Sequence, residues 1–196
     1  MRSVLFRTTA ALAAALACLA GSVGRTAACA YHSGGKAFAA HPGAIDVAMA
    51  IQAAADAGTL EPQSASVPPA SMVAYHRMVR QIEQFRNMLE AAGKRRNAAP
   101  AFSLLLVESA LWSRFEPEPA GIELAIHTAG PDSDEPVVLT TGGVLRAVLE
   151  GRLSAADALH RGLIRVEAAT EAKLALFDLL SAAAKSERTP GAPERR

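Results

Sequence analysis

Apolar and polar positions along this chain fall into two rhythms, one of three to four residues and one of two. The firmest helical rhythm runs over residues 71–92. There Met72, Tyr75, Met78, Val79, Ile82, Phe85, Met88 and Leu89 recur at three-four spacing, with Arg77, Arg80, Gln84 and Asn87 on the other side. This spacing gathers the apolar side chains onto one helical face that must lie on something apolar, and Ser71 is a suitable N-cap. A weaker helix is predicted over the alanine-rich stretch after Pro42, with Asp46 in its first turn and Gly58 as its stop. Alanine favours the helix but buries little surface, so this element should grip weakly. A last helix starts at Thr170, with Leu174, Leu176, Phe177, Leu179 and Leu180 as its apolar side.

Between these helices the rhythm changes. Phe102 to Val107 reads as a strand, Glu108-Ser109 as a tight turn, and Leu111 to Phe115 as the returning strand. Pro117 and Pro119 mark the next turn. Gly121 to His127 alternates at Ile122, Leu124 and Ile126, and residues 128–136 form a polar loop with Pro131, Asp132, Asp134 and Glu135. The chain then turns on the stretch from Val137 to Ala168. Val137 to Leu139 is a β-branched strand, and Val144, Leu145, Val148 and Leu149 recur at helical spacing. Gly151 is a left-handed stop, and Ser154 caps a short helix carrying Asp157, Ala158 and Leu159. Gly162 ends it, and Leu163 to Val166 reads as a fifth strand. Helices, strands, two helices, a strand and a helix make an α+β fold: a mixed sheet of about five strands covered on one face by helices.

The wording of the second half resembles the sterol-carrier-protein-2 (SCP2-like) domain. The residues that carry the resemblance are Val137-Val138-Leu139-Thr140, Leu145 through Leu149, Gly151-Arg152-Leu153-Ser154, Ala158 and Gly162-Leu163-Ile164-Arg165-Val166. It covers about Asp134 to Leu180, and is one of element order alone over Ser71 to Thr128. What it implies is a hydrophobic tunnel between sheet and helices, holding a sterol, an acyl chain or a similar apolar molecule. Placed on this sequence, such a cavity would be lined by Met72, Tyr75, Met78, Val79, Ile82, Phe85, Leu124 and Leu145. Methionines suit a cavity of that kind, being unbranched and adaptable. The chain also resembles a group of exported bacterial proteins with a cysteine-x-tyrosine-histidine segment, here Cys29-Ala30-Tyr31-His32. That group carries a second phrase too, here Val107-Glu108-Ser109-Ala110-Leu111-Trp112-Ser113-Arg114. This second resemblance implies a location and brings no reaction with it.

Composition adds an address. Arg2 and Arg7 precede the apolar run Ala10 to Ala20, and small residues follow from Thr26 to Ala30, which is the layout of an export signal. The expected organisation is a signal peptide over residues 1–28, then a leader loop, Ala-rich helix and proline linker over 29–70. An SCP2-like domain follows over 71–184, and a disordered tail over 185–196. The expected location is the periplasm. Leu16-Ala17-Cys18 would permit lipidation, and only then would a membrane be a partner. Removing Arg2, Arg7 and Arg25 takes the net charge from +1 to −2, a balance unsuited to nucleic acid, which needs a concentrated basic face. The run Lys94-Arg95-Arg96 reads as a solvated helix end.

Three chemistries are open. The first is non-enzymatic binding of a hydrophobic small molecule, with no resident cofactor. The second is an accessory module that binds a metal or a periplasmic protein partner through the leader. There Cys29, His32 and His41 supply one soft and two borderline ligands that copper or zinc would accept, with His76 able to join if the loop folds back. The third is an enzyme using His127 with Asp132 and Asp134 as an acid–base group. No nucleophile elbow, phosphate loop or paired-carboxylate motif accompanies it, and His127 is expected to be a sheet-edge residue. The first chemistry, a binding protein and not an enzyme, is the one the sequence favours.

Overall fold

A computed structural model describes residues 40–61, 72–93 and 100–186, the last three as backbone. The predicted signal, Cys29, His32, most of the proline linker, the Lys94–Arg96 run and the tail beyond Ser186 lie outside the described residues. The elements are α1 (Ala44–Asp56), α2 (Met72–Gly93), β1 (Phe102–Leu106), β2 (Leu111–Glu118), β3 (Gly121–Ile126) and β4 (Val137–Thr140). They continue with α3 (Gly142–Leu149), α4 (Ala155–His160), β5 (Arg165–Glu167) and α5 (Thr170–Ser186). The five strands form one sheet in the order β3-β2-β1-β4-β5. The pairs β1–β2, β2–β3 and β4–β5 are antiparallel, and β1–β4 is parallel. The α+β mixed sheet expected from the sequence is therefore the one found.

The register explains why the strands read as they do. Phe102, Leu104 and Leu106 of β1 share a face with Phe115, Ser113 and Leu111 of β2 and with Val138 and Thr140 of β4. On that face the rings of Phe102 and Phe115 stack at 4.7 Å, and Phe85 of α2 meets Phe115 edge-on at 5.9 Å. Helices α2 and α5 pack on each other, α3 against α2 and α4 against α5, so Ile82, Leu89, Leu176 and Leu180 close the core. The central strands β1 and β4 are buried at every position, because both of their faces are covered. Edge strand β3 keeps the alternation its sequence shows.

The second cover is where the structure departs from a one-faced sheet. Helix α1 lies against β4, and Asp46 at its start pairs with Arg165 of β5 at 2.5 Å. His41, just before α1, lies 3.7 Å from Glu167 and edge-on to Trp112 of β2. Ala44 and Val47 are fully buried there, and Ala48, Ile51 and Ala54 nearly so. The buried face of this helix is built mostly from small side chains.

Two boundaries also move. Strand β2 continues through Pro117 to Glu118, opposite Ile122 and Gly121. Pro117 lies past the end of β1, whose last partner is Phe102 opposite Phe115, so its missing N–H costs the ladder nothing. Leu163 and Ile164 are buried but are not strand residues. Their N–H groups both donate to the Ala158 carbonyl and finish α4, while the Thr140 hydroxyl donates to the Leu163 carbonyl at 2.9 Å. The punctuation around them is as expected. Gly151 and Gly162 adopt φ of +68° and +70°, and the Ser154 hydroxyl accepts from the Asp157 N–H at 3.0 Å.

Candidate functional site

The polar stripe of α2 does more than face solvent. Arg77, Gln81, Gln84, Met88 and Ala91 follow one another at three-four spacing, with Arg80 beside Gln81, one row round from the buried Ile82, Phe85 and Leu89. Arg146, Leu149 and Glu150 of α3 stand across from this row, and Ala183 of α5 closes one end. Together they bound an open cleft of about 810 Å³, in the size range of small-molecule sites. Its floor is apolar, from Met88, Leu149 and Ala183, and its walls carry guanidinium and amide groups. The cleft exists because α3 is only eight residues long and leaves the flank of the longer α2 uncovered.

The charges of this cleft differ from those elsewhere on the chain. Arg86 pairs with Glu90, Arg114 with Asp132 and Glu135, Arg152 with Glu150 and Glu61, and Arg165 with Asp46 and Glu167. Arg161 donates to the Thr59 hydroxyl at 2.5 Å. Among the described residues Arg77, Arg80 and Arg146 take part in no such pair, and these three line the cleft. Glu150, the acid at the rim, is engaged by Arg152. A second cleft of about 560 Å³ lies between α1, α4, β5 and α5. There the arginine, Arg165, is held by two acids.

Gln81 joins the cleft to a buried carboxyl. Glu108, in the turn between β1 and β2, accepts from the Gly142 N–H at the start of α3 at 2.6 Å. A Cβ on Gly142 would lie 3.0 Å from both Gln81 Oε1 and Glu108 Oε1. The Glu108 carboxyl oxygen Oε2 is shut off from solvent, although the residue as a whole is part-exposed. Burial pushes its pKa up to about 7, against the pull of hydrogen bonds from the backbone of Gly142 and from its own. The phrase Val107–Arg114 thus places three anchors side by side. Glu108 ties the turn to α3, the Trp112 indole packs beside His41 and Gly130, and Arg114 holds the loop before β4 through Asp132 and Glu135.

The residues expected to line a tunnel are not gathered around this cleft. Ile82, Phe85 and Leu145 are 0–1% exposed and packed into the core. Met78 and Leu124 pack against the edge of that core, and Val79 is half-buried. Tyr75 stacks on His127 at 5.3 Å and tilts against His76 at 5.5 Å. Met72 is 67% exposed. Of the expected metal ligands, Cys29 and His32 lie outside the described residues. His41 is described, and its Nδ1 accepts from the Gly43 N–H while its Nε2 faces Glu167. Among the described residues no group of three or more histidine, cysteine or acidic side chains is placed to hold a metal. His127 is an exposed residue at the end of β3, with φ of +66°. Asp132, its expected acid–base companion, is taken by Arg114.

Sequence reasoning read Arg77, Arg80, Gln84 and Asn87 as solvated and did not single out Arg146 or Glu108. One sequence signal was available: Arg77 has no acid three or four residues away along the helix, and Arg80 has only Glu83, three residues on.

No family model matches the chain, and no curated protein matches it. Among solved structures it is similar to the solution structure of a conserved hypothetical protein of Thermus thermophilus, described as possibly a sterol carrier protein. The two are 19% identical, over 62% of this chain and 91% of that one, with a TM-score of 0.32. At that score nothing is carried over from that protein to this one.

Proposed function

We propose that this protein is an exported, non-enzymatic binding protein for a hydrophobic or amphiphilic small molecule, held in the cleft between α2, α3 and α5. The observation that carries the reading is the cleft itself: about 810 Å³, open to solvent, with Met88, Leu149 and Ala183 as an apolar floor. Burying an apolar chain on that floor supplies roughly 25 cal/mol for each Å² removed from water, which is the driving force such a carrier needs. The resemblance of residues 134–180 to SCP2-like domains agrees in kind of ligand, though the seat differs from the tunnel that resemblance implies. A carrier reading is also favoured over an acid–base enzyme because Asp132 is spent on Arg114. Export to the periplasm rests on Arg2, Arg7, the Ala10 to Ala20 run and the small residues after it.

Fluorescence of an uncharged apolar dye, Nile red, tests the reading on the full chain. Saturable binding with a blue-shifted emission is expected. Ala91→Glu, a change at an exposed helix position that projects a charge into the cleft, should weaken it at least tenfold with an unchanged circular-dichroism spectrum. Absence of saturable binding, or equal binding by the variant, would refute the assignment.

A further inference from the structure

We propose that the ligand of this cleft carries a phosphate group, seated on Arg77, Arg80 and Arg146, with its apolar part running toward Met88 and Ala183; this rests on the reading of the cleft as the binding site. The chain supplies its own control. Eight arginines are described, and five of them are held by an acid or a hydroxyl of the same chain. The three left over face one cleft from two helices. Arg77 and Arg80 are neighbours at i, i+3 on α2, where like charges destabilise a helix, and Arg146 brings a third cation to the opposite wall. The acid at the rim, Glu150, is drawn off by Arg152. Three like charges that take part in no ion pair among the described residues, with Glu150 as the one acid lining the cleft, are relieved by an external anion.

The kind of anion follows from charge and shape. A carboxylate brings one negative charge to three cations. A phosphate monoester brings about −1.5 to −2 at neutral pH and three acceptor oxygens, and the planar fork of arginine matches such oxygens two at a time. Gln81 and Gln84 add neutral donors on the same wall. The gradient of the cleft gives the rest of the molecule its chemistry. From Arg77 to Ala91 the helix advances about 21 Å at its ordinary rise, from the guanidinium groups of Arg77 and Arg80 at one end to Met88, Ala91 and Ala183, with the Asn87 amide beside them, at the other. A phosphorylated amphiphile fits this order. A phosphorylated polar compound would use the basic end alone.

Calorimetric titration of the full chain with dodecyl phosphate, dodecanol and inorganic phosphate, all below micelle formation, separates these possibilities. Dodecyl phosphate is expected to bind at least tenfold tighter than dodecanol, and to weaken as salt rises. In an Arg77→Gln, Arg80→Gln variant that preference should vanish, dodecyl phosphate binding no tighter than dodecanol. Both positions are exposed, so the fold should persist. Inorganic phosphate binding as tightly as dodecyl phosphate would uphold the phosphate seat and overturn the apolar part of the proposal. Equal binding of dodecyl phosphate and dodecanol, both lost in Ala91→Glu, would overturn the phosphate seat and leave the cleft standing. Binding of none of the three would overturn both.

Discussion

Replacing Glu108 by glutamine should stabilise the protein far more at pH 8 than at pH 5. Glutamine keeps the size of the side chain and an oxygen to accept from Gly142, and it removes the charge. Burial raises the Glu108 pKa from 4.5 to about 7, so the folded state holds a proton that the unfolded chain has already released. Between those two values the folded state binds more protons, and stability must fall as pH rises through this window and level off above about pH 7. The carboxyl is enclosed, so little solvent screening applies. A shift from 4.5 to about 7 corresponds to roughly 3 kcal/mol at 1.36 kcal/mol per pH unit. Urea unfolding of both proteins at pH 5, 6, 7 and 8 reads this directly. The stability difference between variant and wild type should grow from about 1 kcal/mol at pH 5 to roughly 3 kcal/mol at pH 8, the latter about 10 °C in melting temperature. Parallel pH curves for the two proteins, or a less stable variant at pH 8, would show that the carboxyl is not held protonated by burial.

Two further changes probe the scaffold that positions the cleft. Phe115→Ala removes the ring that stacks on Phe102 and meets Phe85; a loss of about 3–5 kcal/mol in urea unfolding is expected, and a loss under about 1 kcal/mol would mean that α2 does not rest on that face. Ser154→Ala removes the cap of α4 and should cost about 1 kcal/mol, with Ser154→Gly recovering most of it in the same measurement.

Much of this fold was legible in the sequence, for identifiable physical reasons. The α2 stripe, the alternation of β3, and the stops at Gly151 and Gly162 are local signals, and each is where its spacing put it. What local pattern could not supply was partnership. Leu163 and Ile164 look like a strand because they are apolar and buried, yet their amides serve the Ala158 carbonyl; burial alone does not say which backbone bond a residue makes. The alanines of α1 did not show which surface the helix would cover, and it lies against β4 on the second face of the sheet. The candidate site was less legible still. The apolar residues assigned to a tunnel include Ile82, Phe85 and Leu145, which the core itself uses. The polar residues set aside as solvated include Arg77 and Arg80, which face Arg146 across the cleft. A helix face reads as solvent-exposed until the element beside it is known, and which helix stands across from α2 is a tertiary fact.

Native mass spectrometry of the protein purified from its own host, beside an Ala91→Glu variant prepared the same way, tests the central claim most directly. The account predicts a non-covalent adduct of small-molecule mass on the wild-type chain, with the mass defect of phosphorus, and its loss in the variant. A bare wild-type chain that also stays bare after incubation with dodecyl phosphate, or an adduct retained equally by the variant, would contradict it.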